Sequence, residues 1–217
     1  MTIIRPGETK AVLLDFDMTL VDSSYAIVKA HNLFAEDLGL RKITRDELLS
    51  SIGQTLEASW DDFWGHHEPE WSQIYQTKYQ KVETSNFQLF SDTISTLKTI
   101  RAAGLKTAVV TNRWLAGQAV DQCGLNGFFD AVVGAEEVEH PKPNAEPILK
   151  ALELLEIARP QAVYAGDSDI DMKTAVASGV DGIGVATGAK TSEELLQAGA
   201  KWAGRSLGEI LPLIGLS

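Results

Sequence analysis

The chain of 217 residues has a single cysteine, Cys123. No internal disulfide can form, and the sequence reads as one from a reducing compartment. Cys123 lies in the apolar run 119–125 and reads as a small packed residue. Positive charge is also scarce: 19 lysines and arginines stand against 30 acids, for a formal net charge of −11. That balance argues against nucleic acid or an anionic membrane as a partner held by charge. It leaves room for a small anionic substrate, because a local pocket can be positive on a negative protein. No apolar stretch approaches the ~20 residues of a membrane span. The opening Met1-Thr2-Ile3-Ile4-Arg5-Pro6 has neither the basic nor the apolar region of a signal peptide. Internal repeats and low-complexity segments are missing too. The expectation is a cytoplasmic protein, with no membrane or nucleic-acid partner, large enough for one domain or a domain with a smaller insertion.

What is present is ordered along the chain. Apolar residues make up 44% and charged residues 23%, ordinary for a globular protein. Five short apolar runs occur at 11–17, 107–112, 131–135, 162–167 and 182–187. They are continuous rather than alternating, which suits strands of a parallel sheet covered on both faces. Between them apolar residues recur at helical spacing, as in Ile94, Leu97 and Ile100, and in Ile148, Leu149, Leu152 and Leu155. This alternation predicts an α/β fold with a doubly wound, Rossmann-like parallel sheet. The stretch 22–87 breaks the rhythm. It is polar, lacks a buried strand pattern, and carries Trp60, Trp64 and Trp71. Asp22 or Ser23 can cap a helix whose apolar face holds Ala26, Ile27, Ala30, Leu33, Phe34 and Leu38, and Gly39 would end it. The stretch is too long for a loop, so it reads as an inserted α-helical cap, with 1–21 and 88–217 forming the core domain. The three tryptophans read as cap packing, and His66-His67-Glu68 as solvated surface.

Polar residues gather where the presumed strands end. The run 11–17 ends in Asp15-Phe16-Asp17-Met18-Thr19, with two aspartates on one side of an extended chain. Like charges that close need something positive or reactive nearby. Thr111-Asn112-Arg113 follows the second run, His140-Pro141-Lys142-Pro143 comes after the third, and Gly166-Asp167-Ser168-Asp169-Ile170-Asp171 ends the fourth. In an open parallel sheet, ligands bind outside the carboxyl ends of the strands, so all four segments converge on one edge. Asp15 and Asp167 could share a divalent cation there, and an oxygen-only set with several waters suits Mg²⁺. Lys142, the Thr111 hydroxyl and backbone N–H groups at helix starts would complete a phosphate site.

These segments resemble the four motifs of the haloacid dehalogenase superfamily, in its phosphoglycolate phosphatase-like branch, over nearly the whole chain. Asp15, Asp17 and Thr19 match the first, Val109-Val110-Thr111-Asn112 the second, Lys142-Pro143 the third, and Gly166, Asp167 and Asp171 the fourth. The resemblance implies a Mg²⁺-dependent phosphomonoester hydrolase working through an aspartyl-phosphate. It makes Asp15 the nucleophile and Asp17 the general acid and base. Thr111, with Asn112 beside it, and Lys142 would hold the phosphoryl oxygens. Asp15, the Asp17 carbonyl and Asp167 would hold Mg²⁺, with Asp171 behind them. One departure is Met18, where this branch usually has glycine; with Gln54 and Thr55 of the cap it is a candidate for substrate selection. The expected partner is a small phosphate ester, and the chain a monomer or homodimer. Rival readings are a β-phosphoglucomutase-type mutase, a dehalogenase and a non-catalytic phospho-ligand binder. The mutases commonly carry valine in place of Thr19 and an arginine in the cap, and Ser51-Ile52-Gly53-Gln54-Thr55 has none. Asp17 argues against a dehalogenase, which lacks that acid.

Overall fold

A computed structural model describes residues 8–216. The opening segment 1–6, on which the lack of a signal peptide was read, lies outside the described residues. The strands are β1 (Ala11–Leu14), β2 (Val21–Asp22), β3 (Gln88–Leu89), β4 (Lys106–Val110), β5 (Ala131–Val133), β6 (Ala162–Gly166), β7 (Asp181–Val185) and β8 (Trp202–Gly204). Six of them form one parallel sheet in the order β5-β4-β1-β6-β7-β8. Every residue of β1 is fully buried because helices cover both faces. Val12 and Leu14 face one apolar layer with Leu97, Ile100 and Ile210. Ala11 and Leu13 face the other with Ile148, Leu152 and Leu155.

The five expected strands are all present, and four of the apolar runs extend past the ladder by two or three residues. The run 11–17, for instance, pairs only to Leu14 before the chain turns. The polar ends leave the sheet to form loops. The edge strand β8 was not anticipated: it is three residues long, and its apolar run is too short to stand out.

The segment between β2 and β3 holds five helices, α1 (Ser24–Leu38), α2 (Arg45–Ser51), α3 (Leu56–Trp64), α4 (Trp71–Lys78) and α5 (Gln80–Thr84). The chain enters and leaves this insert side by side, through antiparallel pairing of β2 with β3 (Val21↔Leu89, Asp22↔Gln88). The Asp22 carboxylate accepts from the Ser24 N–H at 3.0 Å and so caps α1, while Ser23 makes no side-chain cap. Gly39 closes α1 at φ 70°, the left-handed conformation glycine adopts freely. Leu33 and Leu38 of that helix are exposed rather than on its buried face. Trp60 and Trp71 are buried in an aromatic cluster of the insert's own, with Phe34, Tyr75 and Tyr79. His66 and Glu68 are exposed. The remaining helices are α6 (Thr93–Ala102), α7 (Ala116–Gln122), α8 (Glu146–Leu155), α9 (Asp169–Ser178) and α10 (Ser192–Gln197), followed by a 3₁₀ stretch, Leu207–Ile214. No described helix is long and apolar enough to cross a membrane.

Candidate active site

Register brings the site together. Leu14 pairs with Val109 of β4 on one side and Ala165 of β6 on the other. Asp15, Thr111 and Asp167 therefore stand one or two residues beyond the same level of three adjacent strands. Glycine permits the approach of the fourth segment: a Cβ at Gly166 would lie 2.4 Å from Asp171 Cγ. A Cβ at Gly188 would lie 1.8 Å from Asp167 Oδ2.

Lys142 is fully buried at its side chain and lies among three partners. Its ammonium donates to Asp15 Oδ1 at 2.8 Å, to Asp171 Oδ1 at 2.6 Å and to the Tyr164 hydroxyl at 3.1 Å. Burial works against its charge, but Asp15 and Asp171 outweigh burial and keep it protonated. Burial raises the Asp15 carboxyl to about 7; Lys142 opposes this and the neighbouring Asp171 and Asp17 add to it. Asp167 is pushed well above the usual carboxylate range by burial, then by Asp171 and Asp15. Tyr164 was not singled out in the sequence. It is one more aromatic in an apolar run, and only the fold shows its hydroxyl reaching Asp171 at 2.7 Å.

Asp17 is held differently. Arg113 donates to it in the bidentate manner, Nε to Oδ2 at 2.9 Å and Nη2 to Oδ1 at 2.7 Å. The same guanidinium donates through Nη1 to Glu83 Oε1, a residue of α5 in the insert. Glu83 Oε2 accepts from the Tyr75 hydroxyl at 2.6 Å, and His31 Nδ1 lies 2.9 Å from that hydroxyl. A buried polar chain thus runs from the sheet edge into the insert. The sequence offered one signal for it: Arg113 stands at a strand end beside Thr111. Its partners lie 96 and 30 residues away, beyond any local pattern.

The other expected residues are placed as follows. The Thr111 hydroxyl accepts from the Arg113 N–H at 3.2 Å, and Thr111 lines the cavity between sheet edge and insert with Asp15 and Asp17. Asn112 braces loops: its amide nitrogen donates to Gly53 O and Lys142 O, and its oxygen accepts from the Lys142 N–H. Both amide hydrogens are taken by these carbonyls. Gln54 lines the cavity. Thr55 caps α3 by accepting from the Ala58 N–H and is not among the residues lining the cavity. Met18 is likewise not among them; it is 2% exposed at φ 57°, a left-handed conformation that accounts for glycine being usual there.

The donor set suits a hard divalent cation. Asp15, Asp167 and Asp171 each place an oxygen within 4.8 Å of the others. Asp171 already accepts from Lys142, Tyr164 and both the N–H and hydroxyl of Ser168, so it stands behind the pair as a brace. Asp15 Oδ2 and Asp167 Oδ1 share only the Thr19 hydroxyl, at 3.5 and 3.3 Å. Two buried, mutually repelling carboxylates with spare lone pairs, in a cluster of aspartates without histidine or cysteine, fit an oxygen-coordinated ion.

Comparison with known proteins agrees with this geometry. Residues 12–185 match the family model of haloacid dehalogenase-like hydrolases. A phosphoglycolate phosphatase of Rhodobacter capsulatus is 31% identical over 182 residues, 78% of this chain and 81% of that protein. The pyrophosphatase PpaX of Halalkalibacterium halodurans is 26% identical over 211 residues, 96% of this chain and 98% of that one. Among solved structures, a subfamily IA hydrolase of the same superfamily from Geobacter sulfurreducens superposes with a TM-score of 0.76. It is 26% identical, with 94% of this chain and 99% of that chain covered. The chain belongs to the haloacid dehalogenase-like hydrolases, and it is an enzyme of that superfamily's phosphatase group.

Proposed function

We propose that the protein is a Mg²⁺-dependent phosphatase that hydrolyses a small phosphate ester through an aspartyl-phosphate on Asp15. The observation that carries this reading is the surroundings of Asp15. It is a buried carboxylate with the Lys142 ammonium 2.8 Å from one oxygen and Asp167 beside the other. Phosphoryl transfer needs little covalent chemistry from a protein beyond a positioned nucleophile and matched charge. Asp15 attacks phosphorus in line with the leaving oxygen. Asp17, once it turns from Arg113 and takes up a proton, donates it to that oxygen, then takes one from the water that cleaves the acyl-phosphate. Lys142 and the Thr111 hydroxyl meet the phosphoryl oxygens, and Asp171 with Tyr164 fixes Lys142. Asp15, Asp167 and the Asp17 carbonyl would hold Mg²⁺, which supplies charge neutralisation for the transferring group.

In this reading residues 22–87 are a cap over a core of 1–21 and 88–217, and the cap limits substrates to small soluble molecules. The acidic net charge supports the exclusion of nucleic acid and of an anionic membrane, and the setting is cytoplasmic. A hydrolase is favoured over a mutase. Among the described residues that line the cavity, Arg113 is the one lysine or arginine, and it already serves Asp17 and Glu83. The test is phosphate release from p-nitrophenyl phosphate with Mg²⁺, by wild type and Asp15→Asn. Wild type should turn over and the variant should not. An inactive wild type, or an active variant, sinks the proposal.

A further inference from the structure

Two residues that line the cavity between insert and sheet edge, His31 and Gln80, each carry a buried polar atom without a partner. His31 is 2% exposed. Its Nδ1 lies 3.0 Å from the Ile27 carbonyl, which can only accept, so Nδ1 carries the hydrogen. The Tyr75 hydroxyl spends its own hydrogen on Glu83. Burial holds the ring below its usual pKa and so neutral, with Glu83 opposing. That leaves His31 Nε2 as a bare acceptor, and it has no partner. Gln80 is 7% exposed. Its amide nitrogen donates to the Trp114 carbonyl at 2.7 Å, which fixes the orientation of the amide. Its oxygen is a second acceptor with no partner. Both residues line the cavity. Buried acceptors are nearly always satisfied, so a ligand that brings donors is the natural complement.

The charge of the cavity narrows the ligand further. A second anionic group on the substrate would need a free cation. Among the described lining residues the one lysine or arginine is Arg113, whose guanidinium already makes three hydrogen bonds to carboxylates. Space is limited too: the cavity measures about 80 Å³.

Resting on the phosphatase reading above, we infer that the leaving group is a small, uncharged, hydroxylated alcohol, whose hydroxyls donate to His31 Nε2 and Gln80 Oε1. The substrate is then a short polyol monophosphate, not an ester with a second anionic group. A site built to accept from a hydroxyl leaves its acceptors buried and unmet when the hydroxyl is missing, and discriminates accordingly.

The test uses the full chain with Mg²⁺ and measures phosphate release. Glycerol phosphate supplies hydroxyls. Ethyl phosphate lacks them, phosphoglycolate and pyrophosphate add an anion, and 2-aminoethyl phosphate adds a cation. kcat/KM for glycerol phosphate should exceed that for ethyl phosphate by about 10- to 100-fold, and should exceed that for both probes with a second anionic group. Gln80→Met removes one acceptor at similar volume and should move the glycerol-to-ethyl ratio toward one. A wild-type ratio near one overturns the inference without need of any variant. Preference for phosphoglycolate, pyrophosphate or the aminoethyl ester overturns it and leaves the phosphatase reading standing. No release from any probe, p-nitrophenyl phosphate included, ends both.

Discussion

The sheet core and the helical insert have interiors of different kinds. The core is aliphatic. Valines, leucines, isoleucines and alanines from consecutive strand positions fill two layers, and buried carboxylates gather with Lys142 at one edge. The insert is aromatic: Phe34 stacks on Trp60 at 5.3 Å, with Trp71, Tyr75 and Tyr79 edge-on around them. Its polar groups lie inside that cluster or against it, and those of His31 and Gln80 lack full partners. Strand register can hold reacting groups in place to a fraction of an ångström, whereas helices joined by loops can vary their contacts without disturbing the sheet. In the proposed reading, chemistry falls to one region and choice of substrate to the other. Arg113 joins them, since it touches Asp17 of the core and Glu83 of the insert.

The most severe way to break the chemical half is Asp15→Asn. It removes the proposed nucleophile at constant volume and should lower kcat by about 10⁴-fold or more, with the circular dichroism spectrum retained. Residual activity within tenfold of wild type would place the nucleophile elsewhere.

Breaking the joint comes next. Arg113→Met leaves Asp17 and Glu83 buried without their counter-charge, and should cost about 3–5 kcal/mol of stability, read as a lower denaturant midpoint. The double variant Arg113→Met, Glu83→Gln removes one stranded charge and should recover part of that loss. If the single variant is as stable as wild type, the two regions are not coupled through this guanidinium.

How legible this was in the sequence differs between the same two regions. The sheet could be read because each strand is an unbroken apolar run, and the motifs because each run ends in Asp, Thr or Gly-Asp. The insert showed as a break in that rhythm, and its first helix was marked by Asp22 and Gly39. What escaped depends on contacts far apart in sequence. Tyr164 looks like core packing until its hydroxyl is seen on Asp171. Arg113, Glu83 and His31 carry no spacing signature, since they meet only once α1 and α5 pack over the sheet edge. Asn112 stood in a recognised motif, yet its side chain braces loops, because both amide hydrogens are claimed by carbonyls of Gly53 and Lys142.

A smaller effect tests the metal pair. Asp15 and Asp167 repel each other in a buried place, so Mg²⁺ should stabilise the wild type by about 2.7 kcal/mol at a hundredfold excess over Kd. This reads as a rise in melting temperature that chelator reverses. Asp167→Asn should melt at a temperature nearly independent of Mg²⁺. An equal rise in both proteins would mean the ion binds somewhere other than this pair.

The smallest expected effect concerns His31 and sharpens the account of the insert. Its ring is buried among Trp60, Phe63 and Tyr75. Burial holds its pKa below the usual 6.5, Arg113 pushes the same way, and Glu83 opposes them. In the unfolded chain the ring takes a proton near 6.5, so below that pH the unfolded state binds more protons than the folded one. The stability that goes with a neutral His31 is therefore fully present above about pH 6.5 and is lost as pH falls below it. The raised Asp15 and Asp167 carboxyls also respond to pH, but they are common to wild type and His31→Phe and cancel in the difference between the two. Melting temperatures of both proteins measured from pH 8 to pH 5.5 should diverge in one direction, with wild type losing more as the pH drops. Parallel curves would show that His31 takes up no extra proton on unfolding. The neutral ring would then lose its support, and with it the bare Nε2 acceptor that points to a hydroxylated substrate.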